Sequence, residues 1–143
     1  MAEMAAHAAL LRKAEDILVL DLRGRSDVAD FFVLGTGLSD TQVESIGRAV
    51  IDDLLDAGHK AMHTEGFGKA NWLLLDYVDV VVHVMQPRAR EYYRLERLWS
   101  DAGHCRIGPD YFRRPAVVDR HPDLSLGRRG AAATGTGEGE EGP

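Results

Sequence analysis

A single cysteine, Cys105, stands in 143 residues, so no intramolecular disulfide and no Cys-based zinc cluster can be built. A reducing compartment is expected. Long hydrophobic runs are missing as well: no segment approaches the roughly 18 apolar residues needed to span a bilayer. The opening MAEMAAHAALLRKAED has neither the apolar stretch of a signal peptide nor the Arg-rich, Ser-rich, acid-poor bias of a transit peptide. The expected location is therefore the cytoplasm, with no membrane partner. Positive charge is short too. Lys and Arg number 17 against 23 Asp and Glu, a net charge of −6, and the whole excess lies in residues 1–105. Such a domain repels a phosphate backbone, which argues against direct nucleic-acid binding and favours a basic protein partner. What remains is ordinary for one globular domain, with 45% apolar and 28% charged residues.

Catalytic motifs are equally sparse. The six histidines, His7, His59, His63, His83, His104 and His121, form neither HExxH nor another metal-ligand spacing. His63-x-Glu65 matches the H-x-E of zinc deaminases, yet the required P-C-x-x-C has no counterpart. Gly24-Arg25-Ser26 with Asp27 and Asp30 resembles the glycine-serine turn and metal-binding aspartates of nucleotidyltransferases. Two-metal chemistry wants two carboxylates on one strand face at i and i+2, whereas these stand at i and i+3. No P-loop, GxGxxG turn or G-x-S-x-G elbow occurs. No metal, no cofactor and no catalytic residue is expected.

Apolar spacing predicts a helix over 4–15, a strand over 17–22, and a second strand over 31–34 that ends at Gly35-Thr36-Gly37. Ser39 and Gln42 make a capping box. Val43, Ile46, Gly47, Val50 and Leu54 line one face of the following helix, with Gly58 as its left-handed C-terminal cap. A strand around 60–64 leads to Glu65-Gly66-Phe67-Gly68, then strands over 72–75 and 80–85 flank a tight turn at Tyr77-Val78. Pro87 opens a last helix, with Tyr92, Leu95 and Trp99 toward the sheet and Tyr93 more exposed. The order αββαβββα predicts an α/β (α+β mixed sheet) fold of about five strands with helices packed on it. Periodicity then stops. The predicted domain covers 1–104, and 105–143 is read as an extended, largely disordered tail in which Tyr111 and Phe112 are the exceptions.

The segment from Glu65 to Trp99 carries more polar groups than a plain core needs. Trp72, Leu74 and Asp76 share one strand face, so Trp72 suits core packing and an interface anchor equally. Asp76 and Asp79 bracket the hairpin. His83 interrupts a run of valines, where a satisfied core or sheet-surface histidine is the simpler account.

The segments DILVLDLRG, SDVADFFVLGTG, SDTQV, the turn beginning Glu65-Gly66, NWLLLDY, DVVVHVM and R-x-Y-Y-x-L-E-x-L-W occur in order. Together they resemble the Iojap/RsfS family of ribosomal silencing factors across residues 13 to 102. Val78 departs from the family's usual glycine. The resemblance implies a nucleotidyltransferase-like fold without the catalytic carboxylates, hence no enzyme. It also implies binding to the large ribosomal subunit through its fourteenth ribosomal protein, which blocks subunit joining and represses translation under nutrient limitation; a homodimer is possible in this family. Matched by motif, the partner-binding residues are Glu65, Trp72, Asp76 and Asp79, followed by Leu74 and His83. A metal-dependent nucleotidyltransferase-like enzyme and a homo-oligomeric regulatory domain are the rival readings.

Overall fold

The computed structural model describes residues 1–68 and 71–113. The elements run α1 (Ala2–Leu11), β1 (Glu15–Asp21), β2 (Phe31–Thr36), α2 (Asp40–Asp56), β3 (His63–Glu65), β4 (Trp72–Asp76), β5 (Val80–Met85), α3 (Pro87–Tyr93), α4 (Leu95–Leu98), β6 (Gly103–Ile107) and a 3₁₀ turn at Tyr111–Arg113. The strands form one mixed sheet in the order β3-β4-β5-β2-β1-β6. Only β2 and β5 run parallel; the other neighbours are antiparallel.

Two apolar layers follow from strand alternation. Ile17, Val19, Phe31, Val33, Leu73, Leu75, Val80, Val82 and Val84 point to the face covered by α1 and α2. Leu18, Leu20, Phe32, Leu34, Val81 and Met85 point to the other face, where α3 and α4 contribute Ala89 and Leu95, and Trp99 follows α4. The α1 helix buries Ala2, Ala5, Ala6, Ala8 and Ala9, side chains short enough to let it lie close.

The second helix forms as its spacing predicts. Ser39 Oγ accepts the Gln42 N–H at 3.1 Å, while Gln42 Oε1 accepts from Leu38 at 2.7 Å rather than from Ser39 itself. At the far end the Gly58 N–H donates to Leu55 and the His59 N–H to Leu54, the paired bonds of a Schellman cap. Gly47 lets α2 lie close to β4, because a Cβ there would displace the Leu73 side chain.

Three expectations change. A sixth strand, β6, pairs with β1 from Ile17↔Ile107 to Asp21↔Gly103, straddling the boundary drawn at residue 104. Beyond it Tyr111 is buried and its hydroxyl donates to Glu3 at 3.1 Å. Phe112 meets the His7 ring at 4.6 Å. The packed unit therefore reaches at least residue 113; the rest of the proposed tail lies outside the described residues. Finally, the last helix breaks at Arg94, whose φ of 47° is left-handed. The break reverses the expected faces: Tyr92 is 79% exposed and Tyr93 48%, because α3 is rotated to bury Ala89 and Arg90.

Candidate functional site

Residues directly opposite in neighbouring strands point to the same face of a sheet. Leu74 is opposite Glu65 on β3 and His83 on β5. Trp72 and Asp76 flank Leu74 at two-residue spacing on β4. Five of the six candidates, Glu65, Trp72, Leu74, Asp76 and His83, therefore share one face. Asp79 stands apart in the turn before β5, where its carbonyl accepts from Asp30 at 2.8 Å and Phe31 at 3.0 Å.

That face is covered unevenly. Over β1 and β2 it lies beneath the Ala89–Ala102 segment. Over β4 its side chains are only half-buried, and β3 is exposed throughout. Tyr93 closes one end, its ring 4.5 Å from that of Trp72, and Tyr92 stands edge-on to Tyr93 at 4.9 Å. Trp72 is thus both packed and accessible, which joins its two readings. Its indole N–H donates to His83 Nδ1 at 3.1 Å.

His83 is 4% exposed, with the Phe32 ring edge-on at 4.6 Å. Because Nδ1 accepts the indole proton, the neutral imidazole must carry its hydrogen on Nε2. Nε2 is buried and has no partner among the described residues. Burial lowers the pKa of His83 from 6.5 to about 4, so the ring is neutral at physiological pH.

The acidic members are held differently. Asp76 Oδ1 accepts the Val78 N–H at 2.8 Å, and the Asp79 N–H donates to the Tyr77 carbonyl at 2.9 Å. With φ of 74° at Val78, this is the strained positive-φ form of the γ-turn. Glu65 accepts from His63 Nε2 at 2.7 Å on the exposed edge strand. Gly66 then turns with φ of 98°, and a Cβ there would run into the Trp72 carbonyl. Phe32, which the sequence reading did not single out, and Tyr93, which it placed away from the sheet, join the aromatic group. Strand alternation from Leu34 signals Phe32, whereas the break at Arg94 hides Tyr93.

Asp27 is exposed and Asp30 buried in the loop before β2, so they are not arranged on one strand face as a two-metal pair. Among the described residues, no cluster of three or more His, Cys, Asp or Glu is placed to hold a metal, and no helix is long and apolar enough to cross a membrane.

Residues 1–132 match the profile of a family described as ribosomal silencing factor during starvation. The chain belongs to the ribosomal silencing factor family. A Bacillus subtilis silencing factor is 47% identical over 100 residues, covering 70% of this chain and 85% of the relative. The chloroplastic Iojap protein of Zea mays is 35% identical over 100 residues, covering 68% of this chain and 42% of that protein. A solved structure from Chromobacterium violaceum superposes with a TM-score of 0.67 at 36% identity, covering 68% of this chain and 82% of the other. The mixed α/β class expected for a silencing factor therefore holds, with six strands in place of about five. The family description is regulatory rather than enzymatic, and its name ties it to the ribosome.

Proposed function

We propose that this silencing factor binds the large ribosomal subunit through its fourteenth ribosomal protein, using the half-covered sheet face over β3 and β4. A chain bound on the surface that meets the small subunit blocks joining by occupying its space, and translation falls. The observation that supports this reading most is the gathering of Glu65, Trp72, Leu74 and Asp76 on the poorly covered part of one face. Aromatic anchors beside apolar and acidic groups suit a contact with a basic protein surface, because Trp and Tyr concentrate binding energy and carboxylates give charge-assisted contacts. Asp79 extends the acidic rim to the hairpin, while His83 acts from below by holding the Trp72 indole. The chemistry required is recognition and obstruction, without turnover.

Sedimentation of the purified full chain with separated ribosomal subunits tests the proposal. The chain is expected to migrate with free large subunits and to lower the yield of joined ribosomes. Retention at the top of the gradient at low micromolar concentration would remove the assignment.

A further inference from the structure

The parallel neighbours β2 and β5 send their chains to opposite faces of the sheet. After Thr36 the chain enters α2, which packs with the Ile17–Val84 layer; after Met85 it enters α3, which packs on the other layer. Such a divergence opens a crevice at the carboxyl ends of the two strands, the usual place for ligands in open α/β sheets. A cleft of about 370 Å³ occupies that position. The antiparallel pairing of β1 and β2 puts this cleft at the opposite end of β2 from the Asp27–Asp30 loop. It shares no lining residue with the proposed docking face.

Its walls carry both signs of charge. Arg90, Arg94 and Arg97 face Glu15, Asp16, Glu91 and Glu96 across the same space. Only one ion pair links these groups among the described residues, Arg90 Nε to Glu96 Oε2, and at 3.5 Å it is long. Arg90 is nonetheless buried, and its Nη1 donates to Thr36 Oγ1 at 2.8 Å. A buried guanidinium needs an anion to offset its lost hydration. Its side-chain hydrogen bonds to described residues run through Nε and Nη1. Glu96 complements it, since Oε1 is buried with no partner. Together the pair sets a guanidinium beside a carboxylate whose Oε1 has no partner among the described residues.

The backbone around the cleft is also out of the ordinary. Asp16 (φ 48°) and Arg94 (φ 47°) both adopt the left-handed region. Asp16 does so within the irregular register of β1 between Glu15 and Leu18, and bulges of this kind re-aim side chains beside sites.

We propose that this cleft binds a small zwitterion of the free α-amino-acid class, its carboxylate on Arg90 and its ammonium on Glu96. A plain anion such as phosphate meets four carboxylates, and a plain cation meets three guanidiniums. A molecule bearing both charges meets the guanidinium with its carboxylate and Glu96 with its ammonium, and Arg supplies the planar fork a carboxylate fits. A volume of about 370 Å³ is near the lower end of the range for ligand pockets, which suits a single amino acid.

The test uses the full chain without ribosomes. The twenty L-amino acids are screened by ligand-observed NMR, and each hit is titrated beside its N-acetyl and α-carboxamide forms. At least one amino acid is expected to bind below about 1 mM, with each blocked form weaker by roughly tenfold, the equivalent of about 1.4 kcal/mol. Glu96→Gln is expected to weaken the amino acid to the level of its N-acetyl form while leaving affinity for that form nearly unchanged. Arg90→Lys, with its thermal midpoint measured alongside, keeps the charge and removes the fork; Glu96→Gln alone decides the matter if that variant does not fold. Absence of binding to the folded wild-type chain at 10 mM overturns the proposal. So does equal affinity for the N-acetyl form, or undiminished binding by folded Glu96→Gln.

Discussion

Val78 is a β-branched residue held at φ of 74°, a conformation that costs an L side chain roughly 1–2 kcal/mol. It is also 52% exposed, so little packing offsets the cost. Val78→Gly relieves the strain but adds freedom to the unfolded chain, and a net gain of about 1 kcal/mol is expected in urea unfolding. An unchanged or lower midpoint would show that Val78 packs more than its exposure indicates. His83 gives a second test at this scale. With a folded pKa of about 4 against 6.5, the unfolded chain takes up a proton that the folded chain refuses. Stability from this residue is present above pH 6.5 and is lost as pH falls through the window to about 4, by roughly 3 kcal/mol in all. His83→Asn keeps a hydrogen-bond acceptor but does not titrate. The difference in thermal midpoint between the two proteins should therefore shrink on acidification, and parallel curves from pH 7 to 4 would contradict the burial of a neutral ring.

At the scale of elements, the sequence was most readable where one face is buried and the other is wet. The α2 face follows directly from apolar spacing and its Ser39 cap from the pairing with Gln42, while β4 and β5 show as short apolar runs, β5 being buried on both faces. Strand alternation likewise aligns Trp72, Leu74 and Asp76 on one face, whereas Glu65, Asp79 and His83 entered the candidate set by motif. Three features were not readable. Gly103–Ile107 has one buried residue, Ile107, and one half-buried, Cys105, so an edge strand leaves almost no alternation to detect. The Arg94 break has no glycine or proline to announce it, and it carries Tyr93 onto Trp72. Arg90 looks like one of several surface arginines, and only the fold brings it against Thr36. The edge strand now sets a sharper expectation for truncation. A chain ending at residue 104 loses most of β6, with Ile107 and Tyr111 from the core. Burying two such side chains contributes on the order of 1.5–3 kcal/mol each, so a fall of about 4 kcal/mol in unfolding free energy is expected. A chain ending at 113 keeps every described contact of the packed unit and should unfold at the full-length midpoint. Equal stability of the 104-residue and full-length chains would show that β6 contributes nothing.

For the whole molecule, the net charge of −6 draws the chain toward basic surfaces over about a Debye length, roughly 8 Å at physiological salt. Which carboxylates make the final contact is a separate question, and the hairpin provides clean variants to answer it. Asp76 uses Oδ1 to accept the Val78 N–H at 2.8 Å, and asparagine offers the same oxygen without the charge. Asp76→Asn should therefore keep the turn, with a thermal midpoint near that of the wild-type chain. If Asp76 and Asp79 meet basic groups on the large subunit, Asp76→Asn and Asp79→Asn should each weaken binding about three- to tenfold and flatten its dependence on salt. Trp72→Ala is less selective, because it removes an interface anchor together with the hydrogen bond to His83 and the contact with Tyr93. Its affinity loss has to be read against its thermal midpoint, and Trp72→Phe, which keeps an aromatic ring while deleting the indole N–H, separates the two contributions. Affinity measured at two salt concentrations for the folded asparagine variants decides the interface. Wild-type affinity and an unchanged salt slope in both would take the hairpin out of it, leaving the aromatic end of the face around Trp72 and Tyr93 as the surface to map next.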